Sequence, residues 1–282
     1  MIQNYKLAFI GAGSMAEAIF SGLINQKKVS PENIYVTNRQ DEERLHVLQK
    51  KYGVQVSSSN EQILAKADIV ILAMKPTGIK QAIQSIRSYT SENQLILSVL
   101  AGITTEYISY LLGHKAPVVR VMPNTSAAVG SSVTVISPGE HVNDNHLKVT
   151  ESLLKAVGIV KQVKEKDLDS VTAIAGSGPA YMYYLVEGMF NSLDELQLDR
   201  KLGEELILEM IQGSVDLLKS TNQTPKEVYL NVKSPGGTTE AGLNVLENQQ
   251  FQEIIKDCII KAAERSKEIT KEMSTIPKST IT

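Results

Sequence analysis

The sequence predicts an α/β protein: a doubly wound, parallel sheet in the N-terminal half, followed by an all-α C-terminal half. Three observations carry this expectation. Short, fully apolar β-branched runs alternate with helical patterns over the first half, a glycine-rich turn separates the first run from the first helix, and beyond Gly158 the strand signal gives way to helices. At 282 residues the chain is long enough for two domains. The change of pattern places their boundary so that 1–164 forms an α/β domain and 165–282 a helical one.

Taken in order, the run Leu7–Ile10 precedes a helical pattern from Ser14 to Gln26, and Ile34–Val36 precedes Asp41–Tyr52. Asp68–Ala73 is followed by Thr77–Tyr89, and Leu95–Val99 by Thr104–Leu112. Continuous apolar strands of this kind belong to a sheet covered on both faces. Two more strands are expected at Val118–Val121 and Ser132–Ile136. The polar stretch Lys161–Asp169 then opens the helical half. Between Ala180 and Leu193, part of a helix expected to reach Leu196, the only charge is Glu187. A helix apolar on every face must be covered on every face, and packing against a second subunit is one way to achieve that. The terminal segment has a stripe of Ile255, Ile259, Ala262, Ser266, Ile269 and Met273 at helical spacing, with Glu264, Lys267, Glu268 and Lys271 on its other side. Cys258 lies beside Ile255 and Ile259 and is expected to be a small core residue.

Composition excludes several classes. Lys and Arg number 29 against 31 Asp and Glu, a net charge of −2, which gives no basic field for nucleic acid or an anionic membrane surface. One cysteine rules out an internal disulfide framework and any cysteine-based metal cluster. The histidines at 46, 114, 141 and 146 never reach metal-ligand spacing, and His141 and His146 read as the ends of a polar turn, so no metal is expected. Met1–Tyr5 has no signal-peptide pattern, and apolar runs such as Ile69–Met74 fall far short of the roughly 20 residues that cross a bilayer. The expectation is a cytoplasmic protein.

The chemistry begins at Gly11-Ala12-Gly13-Ser14-Met15-Ala16, directly after the first strand. The first glycine permits the tight turn, the second lets backbone approach a pyrophosphate, and Ala16 allows the helix to pack closely on the strand. The helix start offers N–H groups and a positive dipole end to the anion. At the tip of the second strand stand Thr37, Asn38 and Arg39, with no acid to hydrogen-bond a ribose 2′-hydroxyl; Arg39 suits a 2′-phosphate, so NADPH is favoured over NADH. The loops Ala73-Met74-Lys75-Pro76 and Val99-Leu100-Ala101-Gly102 fall at carboxyl ends of strands, where open α/β sheets bind ligands. Lys75 is a candidate for the ribose or phosphates, and Gly102 is expected to leave space for a flat ring.

In the helical half, Ser234-Pro235-Gly236-Gly237-Thr238-Thr239 opens a helix with two glycines and three hydroxyls. Two readings stand side by side: a cradle of N–H and hydroxyl donors for a small carboxylate, or plain N-capping by Thr238 or Thr239 over a glycine turn.

With those motifs in view, the chain resembles the pyrroline-5-carboxylate reductases, from about Leu7 to about Thr270. The markers are Phe9–Ala16, Met74-Lys75-Pro76, Val121-Met122-Pro123-Asn124-Thr125, Gly176–Tyr181, and above all Pro225 through Ser234–Leu243, which looks like the family signature. The resemblance implies a Rossmann-type cofactor domain and a helical dimerisation domain, with NADPH or NADH reducing the C=N bond of 1-pyrroline-5-carboxylate to L-proline. It implies that Ser234, Gly236, Gly237, Thr238 and Thr239 bind the substrate carboxylate, and that Thr239 also donates a hydrogen bond to the ring nitrogen. It places Asn231 near the nicotinamide. Homodimers, in some members assembled into larger rings, are implied as well. The alternatives are a 3-hydroxyacid dehydrogenase or another imine reductase of related fold, and a non-catalytic NADP-binding regulator. Against the first, Lys161, Lys164 and Lys166 lie in a solvated charge run and Gly176–Pro179 is followed by Tyr and Met rather than Lys. Against the second, the whole Ser234–Thr239 loop is retained.

Overall fold

The computed structural model describes residues 2–276; the remaining positions of the two expected domains, Met1 and residues 277–282, lie outside the described residues. The chain divides into two compact units. One comprises the described residues of Met1–Ser177 and Ala262–Thr282, the other Gly178–Lys261.

The first unit runs β1 (Leu7–Ile10), α1 (Ser14–Asn25), β2 (Ile34–Thr37), α2 (Glu42–Tyr52), β3 (Gln55–Val56), α3 (Asn60–Leu64), β4 (Ile69–Leu72), α4 (Ile79–Ile86), β5 (Leu95–Ser98), α5 (Thr105–Leu112), β6 (Val118–Met122), β7 (Ser132–Pro138), α6 (Asp144–Leu154), β8 (Gly158–Gln162) and α7 (Leu168–Val171). The sheet order is β3-β2-β1-β4-β5-β6-β7-β8. Pairing is parallel in register from β3 through β6 and between β7 and β8, whereas β6 and β7 run antiparallel. The expected doubly wound parallel sheet is therefore present with one reversal at its far side. β1, β4 and β5 are buried at every position because helices cover both faces. One face carries Phe9, Phe20, Leu23, Leu48 and Leu153; the other carries Val70, Leu72, Ile83, Ile96 and Ile108.

Four elements of this unit lie outside the expected set. β3 and α3 are short, and β8 is an exposed edge strand with Lys161 and Gln162 facing outward, so its apolar pattern is broken. α6 corrects the reading of His141–His146 as a polar turn. Asn143 accepts from the His146 N–H at 2.9 Å while the His146 ring accepts from the Asn143 N–H, a capping box that starts the helix.

The second unit holds α8 (Gly178–Glu195), α9 (Arg200–Ser220), α10 (Pro225–Asn231), α11 (Thr238–Asn248) and the first part of α12 (Phe251–Met273). α8 and α9 pair closely: Leu193 is buried, and a Cβ on Gly203 would lie 2.4 Å from it. α10 begins with a capping box between Thr224 and Glu227. Within one chain most of the apolar surface is uncovered. α8, expected to be buried all round, buries only Leu193, and Tyr184 is 80% exposed. Cys258, expected in a core, is exposed because it sits in the part of α12 that has no cover within its own unit. The later part of α12 belongs to the first unit, where Ser266 is buried. No described helix is long and apolar enough to cross a membrane.

Candidate active site

The carboxyl ends of four strands are stitched side by side. Gly11 N–H donates to Thr37 O at 2.9 Å, Ala73 N–H to Ile10 O at 2.9 Å, and Val99 N–H to Leu72 O at 3.1 Å. The order β2-β1-β4 reverses the chain's progression at β1, which opens the crevice where such sheets hold ligands. Gly11 occupies φ +116°, and a Cβ there would lie 2.5 Å from Ala73 O, so only glycine fits. A Cβ on Gly13 would meet nothing, and Gly13 caps α1 with no side-chain hydrogen bond. Open space over an uncapped helix start fits a dinucleotide pyrophosphate. Ala16 is fully buried under the helix, as close packing on the strand requires.

Gly11, Gly13, Ser14, Met15, Asn38, Arg39, Met74, Lys75, Pro76, Ala101 and Gly102 all belong to the first unit, in the segments that follow β1, β2, β4 and β5. Arg39 is exposed, and its Nη1 donates to Gln81 Oε1 at 2.5 Å. Lys75 is exposed and immediately precedes the turn that leads to α4. Gly102 needs a correction. It has φ +73°, but a Cβ there would lie 2.5 Å from Ile269 Cγ2, and its carbonyl accepts from Ser274 Oγ at 2.8 Å. The space expected for a flat ring at that position is filled by α12.

An acid stands in the first turn of α1, where it opposes an anionic ligand: Glu17. Its carboxylate accepts from Tyr52 OH at 2.7 Å and Lys51 Nζ at 3.0 Å, and pairs with the Arg44 guanidinium. Hydrogen bonding from Tyr52, Arg44 and Lys51 outweighs burial and holds the Glu17 carboxyl at about 2, so it stays ionised. These residues escaped the motif reading, although an acid so near a phosphate turn signals that a cation must stand beside it.

The second cluster lies in the helical unit. Ser234 O accepts from Gly237 N–H at 3.0 Å, and Gly236 adopts φ +69°. α11 starts at Gly237 without a side-chain cap, so neither Thr238 nor Thr239 serves as the N-cap. The hydroxyls are thus not spent on capping. Glu240, three residues past the cap and missed by the motif reading, accepts from Gly236 N–H at 2.8 Å and pairs with Lys233 at 3.7 Å. Its position is that of a capping-box acid, which is the signal that marks it. Asn231 is exposed at the end of α10, its amide donating to Gln223 Oε1 at 3.4 Å.

A parallel sheet with a glycine turn that fits a pyrophosphate, joined to a helical unit with a second glycine-rich, uncapped helix start, fits the class of dinucleotide-dependent oxidoreductases. Comparison with known proteins narrows the class. Residues 165–269 match the family model "Pyrroline-5-carboxylate reductase dimerisation", and residues 6–102 match "NADP oxidoreductase coenzyme F420-dependent". Pyrroline-5-carboxylate reductase 2 of Bacillus subtilis is 42% identical over 95% of this chain and 96% of its own, and pyrroline-5-carboxylate reductase 1 of Bacillus spizizenii 44% over 94% and 89%. The crystal structure of Plasmodium falciparum pyrroline carboxylate reductase with NADP bound superposes with a TM-score of 0.88 at 31% identity, covering 96% of this chain and all of that one. The Coxiella burnetii reductase gives 0.85 at 34%, over 95% and 99%. The chain belongs to the pyrroline-5-carboxylate reductase family.

Proposed function

We propose that this protein reduces the C=N bond of 1-pyrroline-5-carboxylate to give L-proline, the last step of proline biosynthesis, with NADPH as the preferred reductant. It acts as a cytoplasmic homodimer and needs neither nucleic acid nor membrane. The observation that carries this reading is the Ser234–Thr239 loop: a family signature whose helix starts uncapped, leaving N–H and hydroxyl donors for a carboxylate.

Residues 1–164 hold the cofactor, and 165–282 bind substrate and form the dimer. Gly11, Gly13, Ser14 and Met15 would hold the pyrophosphate, and Asn38 and Arg39 the 2′-phosphate. Met74, Lys75, Pro76 and Ala101 line the course of the dinucleotide, Gly102 sets the turn that presents Ala101, and Asn231 serves the nicotinamide end. Bound NADPH supplies hydride from C4 of its nicotinamide. Ser234, Gly236, Gly237 and Thr238 anchor the substrate carboxylate. Thr239 donates its hydroxyl to the ring nitrogen, which makes the imine carbon a better hydride acceptor. One proton, drawn from solvent by way of the Thr239 hydroxyl, goes to nitrogen and one hydride to carbon, so no cysteine, histidine or metal is required by the balance. Positioning and preorganised donors carry the rate.

The test is oxidation of NADPH, followed by its near-ultraviolet absorbance, with 1-pyrroline-5-carboxylate beside a 3-keto acid. Turnover with the imine alone is expected, and its absence sinks the reading. For Thr239→Val we expect kcat to fall; a rise in KM alone would make the hydroxyl a binding group only. Arg39→Ala should weaken NADPH far more than NADH, and equal loss with both would remove Arg39 from the 2′-phosphate.

A further inference from the structure

The phosphate turn and the start of α1 share a brace drawn from α2. Asp41 caps α2 by accepting from the Arg44 N–H at 2.8 Å, which fixes the origin of the Arg44 side chain. From there Arg44 Nε donates to the carbonyl of Ala12 at 3.1 Å, and its terminal nitrogen pairs with Glu17. One planar guanidinium therefore holds both the middle of the phosphate turn and the acid of the helix that follows. Lys51 and Tyr52, about two helical turns further along α2, complete the shell around Glu17, with Lys51 Nζ also 4.8 Å from the Tyr52 ring centroid.

Two physical demands meet here. The Ala12 carbonyl lies between Gly11 and Gly13, so the direction in which it points fixes the orientation of the following peptide N–H. Glu17, one turn into the helix, would repel a pyrophosphate if its charge were left bare. We propose that Arg44 is a positioning residue for cofactor binding: it pins the Ala12 carbonyl and offsets Glu17, so that the N–H groups of the turn face the pyrophosphate. Lysine cannot do both, since it lacks the fork that spans two acceptors. The inference rests on the reading of this site as one for NADPH.

Calorimetric titration of NADPH into the full-length protein tests it, with adenosine 2′-monophosphate as a competitive inhibitor that reaches only the far end of the cofactor. Arg44→Met should weaken NADPH binding about tenfold, the scale of one charge-assisted contact. Arg44→Lys, which keeps the charge, should recover part of that loss, and adding Glu17→Gln to Arg44→Met should recover part of it by removing the repelling charge. In Arg44→Lys the imine KM and the kcat at saturating NADPH should stay within about twofold of wild type, since a change confined to cofactor binding leaves both alone. Unchanged NADPH affinity in folded Arg44→Met or Arg44→Lys overturns the proposal. So does a parallel loss of adenosine 2′-monophosphate inhibition, which would make Arg44 a direct 2′-phosphate ligand. A uniform fall in kcat and in both affinities overturns it too, as the mark of general damage. Wild type that binds no NADPH refutes the underlying assignment instead.

Discussion

At Gly11 backbone geometry and packing make the same demand. A side chain there meets a positive φ of +116° and a carbonyl 2.5 Å from its Cβ. Gly11→Ala should therefore cost about 2 kcal/mol or more in stability, read from the urea midpoint, and should abolish tight NADPH binding. A variant as stable as wild type would mean that the turn relaxes freely. Glu17 makes a pH prediction. Its folded pKa, about 2, lies below its ordinary value of 4.5 because Tyr52, Arg44 and Lys51 favour the carboxylate. A depressed carboxyl adds stability above the unfolded pKa and loses it as pH falls through the folded one. Glu17→Gln should thus be less stable than wild type at neutral pH, by about 1 kcal/mol after allowing for solvent screening. The gap should close between about pH 4.5 and about pH 2. A gap unchanged at pH 3 in thermal melts would place the loss elsewhere. Gly11 was legible because its positive φ belongs to the turn itself, although the Ala73 carbonyl that closes off a side chain comes from the end of β4. Gly102 was legible as a glycine but not in its purpose, since Ile269 and Ser274 come to it from the end of the chain.

Elements were legible where a single period dominates. β1, β4 and β5 are buried on both faces and read as unbroken apolar runs, whereas β8 lies at an edge and α6 starts from a histidine capping box with little apolar signal ahead of it. The attachment of α12 had no signature at all, because it depends on polar groups from three parts of the chain. Arg120 on β6 is almost wholly buried, with Glu165 at 3.7 Å and Asp169 at 3.8 Å. Burial pulls its pKa down, and the two carboxylates pull it back. Asp169 also accepts from Ser266 Oγ and Thr270 Oγ1 of α12, both at 2.8 Å, and Glu165 accepts from the Thr105 N–H at 2.8 Å and hydroxyl at 2.6 Å. Asp169→Asn should cost about 3 kcal/mol, because it leaves a buried guanidinium with a single counter-charge. Ser266→Ala should cost about 1 kcal/mol, the worth of one hydrogen bond. Denaturation midpoints showing equal losses for the two variants would refute the view that the buried cation dominates.

Over the whole molecule, the first unit closes its own core and the second does not. On α9, Leu202, Leu206, Met210 and Leu217 fall on one helical face, and all four are exposed within the chain, as are Tyr184 of α8 and Ile254 of α12. Exposed apolar side chains in such number, four of them on one helical face, mark an interface. The dimerisation model matched over residues 165–269 covers all of these positions. Folding and association should then be coupled, so the melting temperature should rise with protein concentration, as it does whenever a partner binds only the native state. Replacing Leu206 and Met210 together by Glu puts charges at the centre of the stripe and should shift sedimentation from dimer toward monomer. Because the phosphate turn, the strand tips and their braces all lie in the first unit, NADPH binding should largely survive in that monomer. Turnover should fall steeply, because the helices presenting Ser234–Thr239 lose their cover. A double variant that still sediments as a dimer would move the interface off this face of α9. One that becomes monomeric with full turnover would show that the helical unit needs no partner to hold the substrate loop in place.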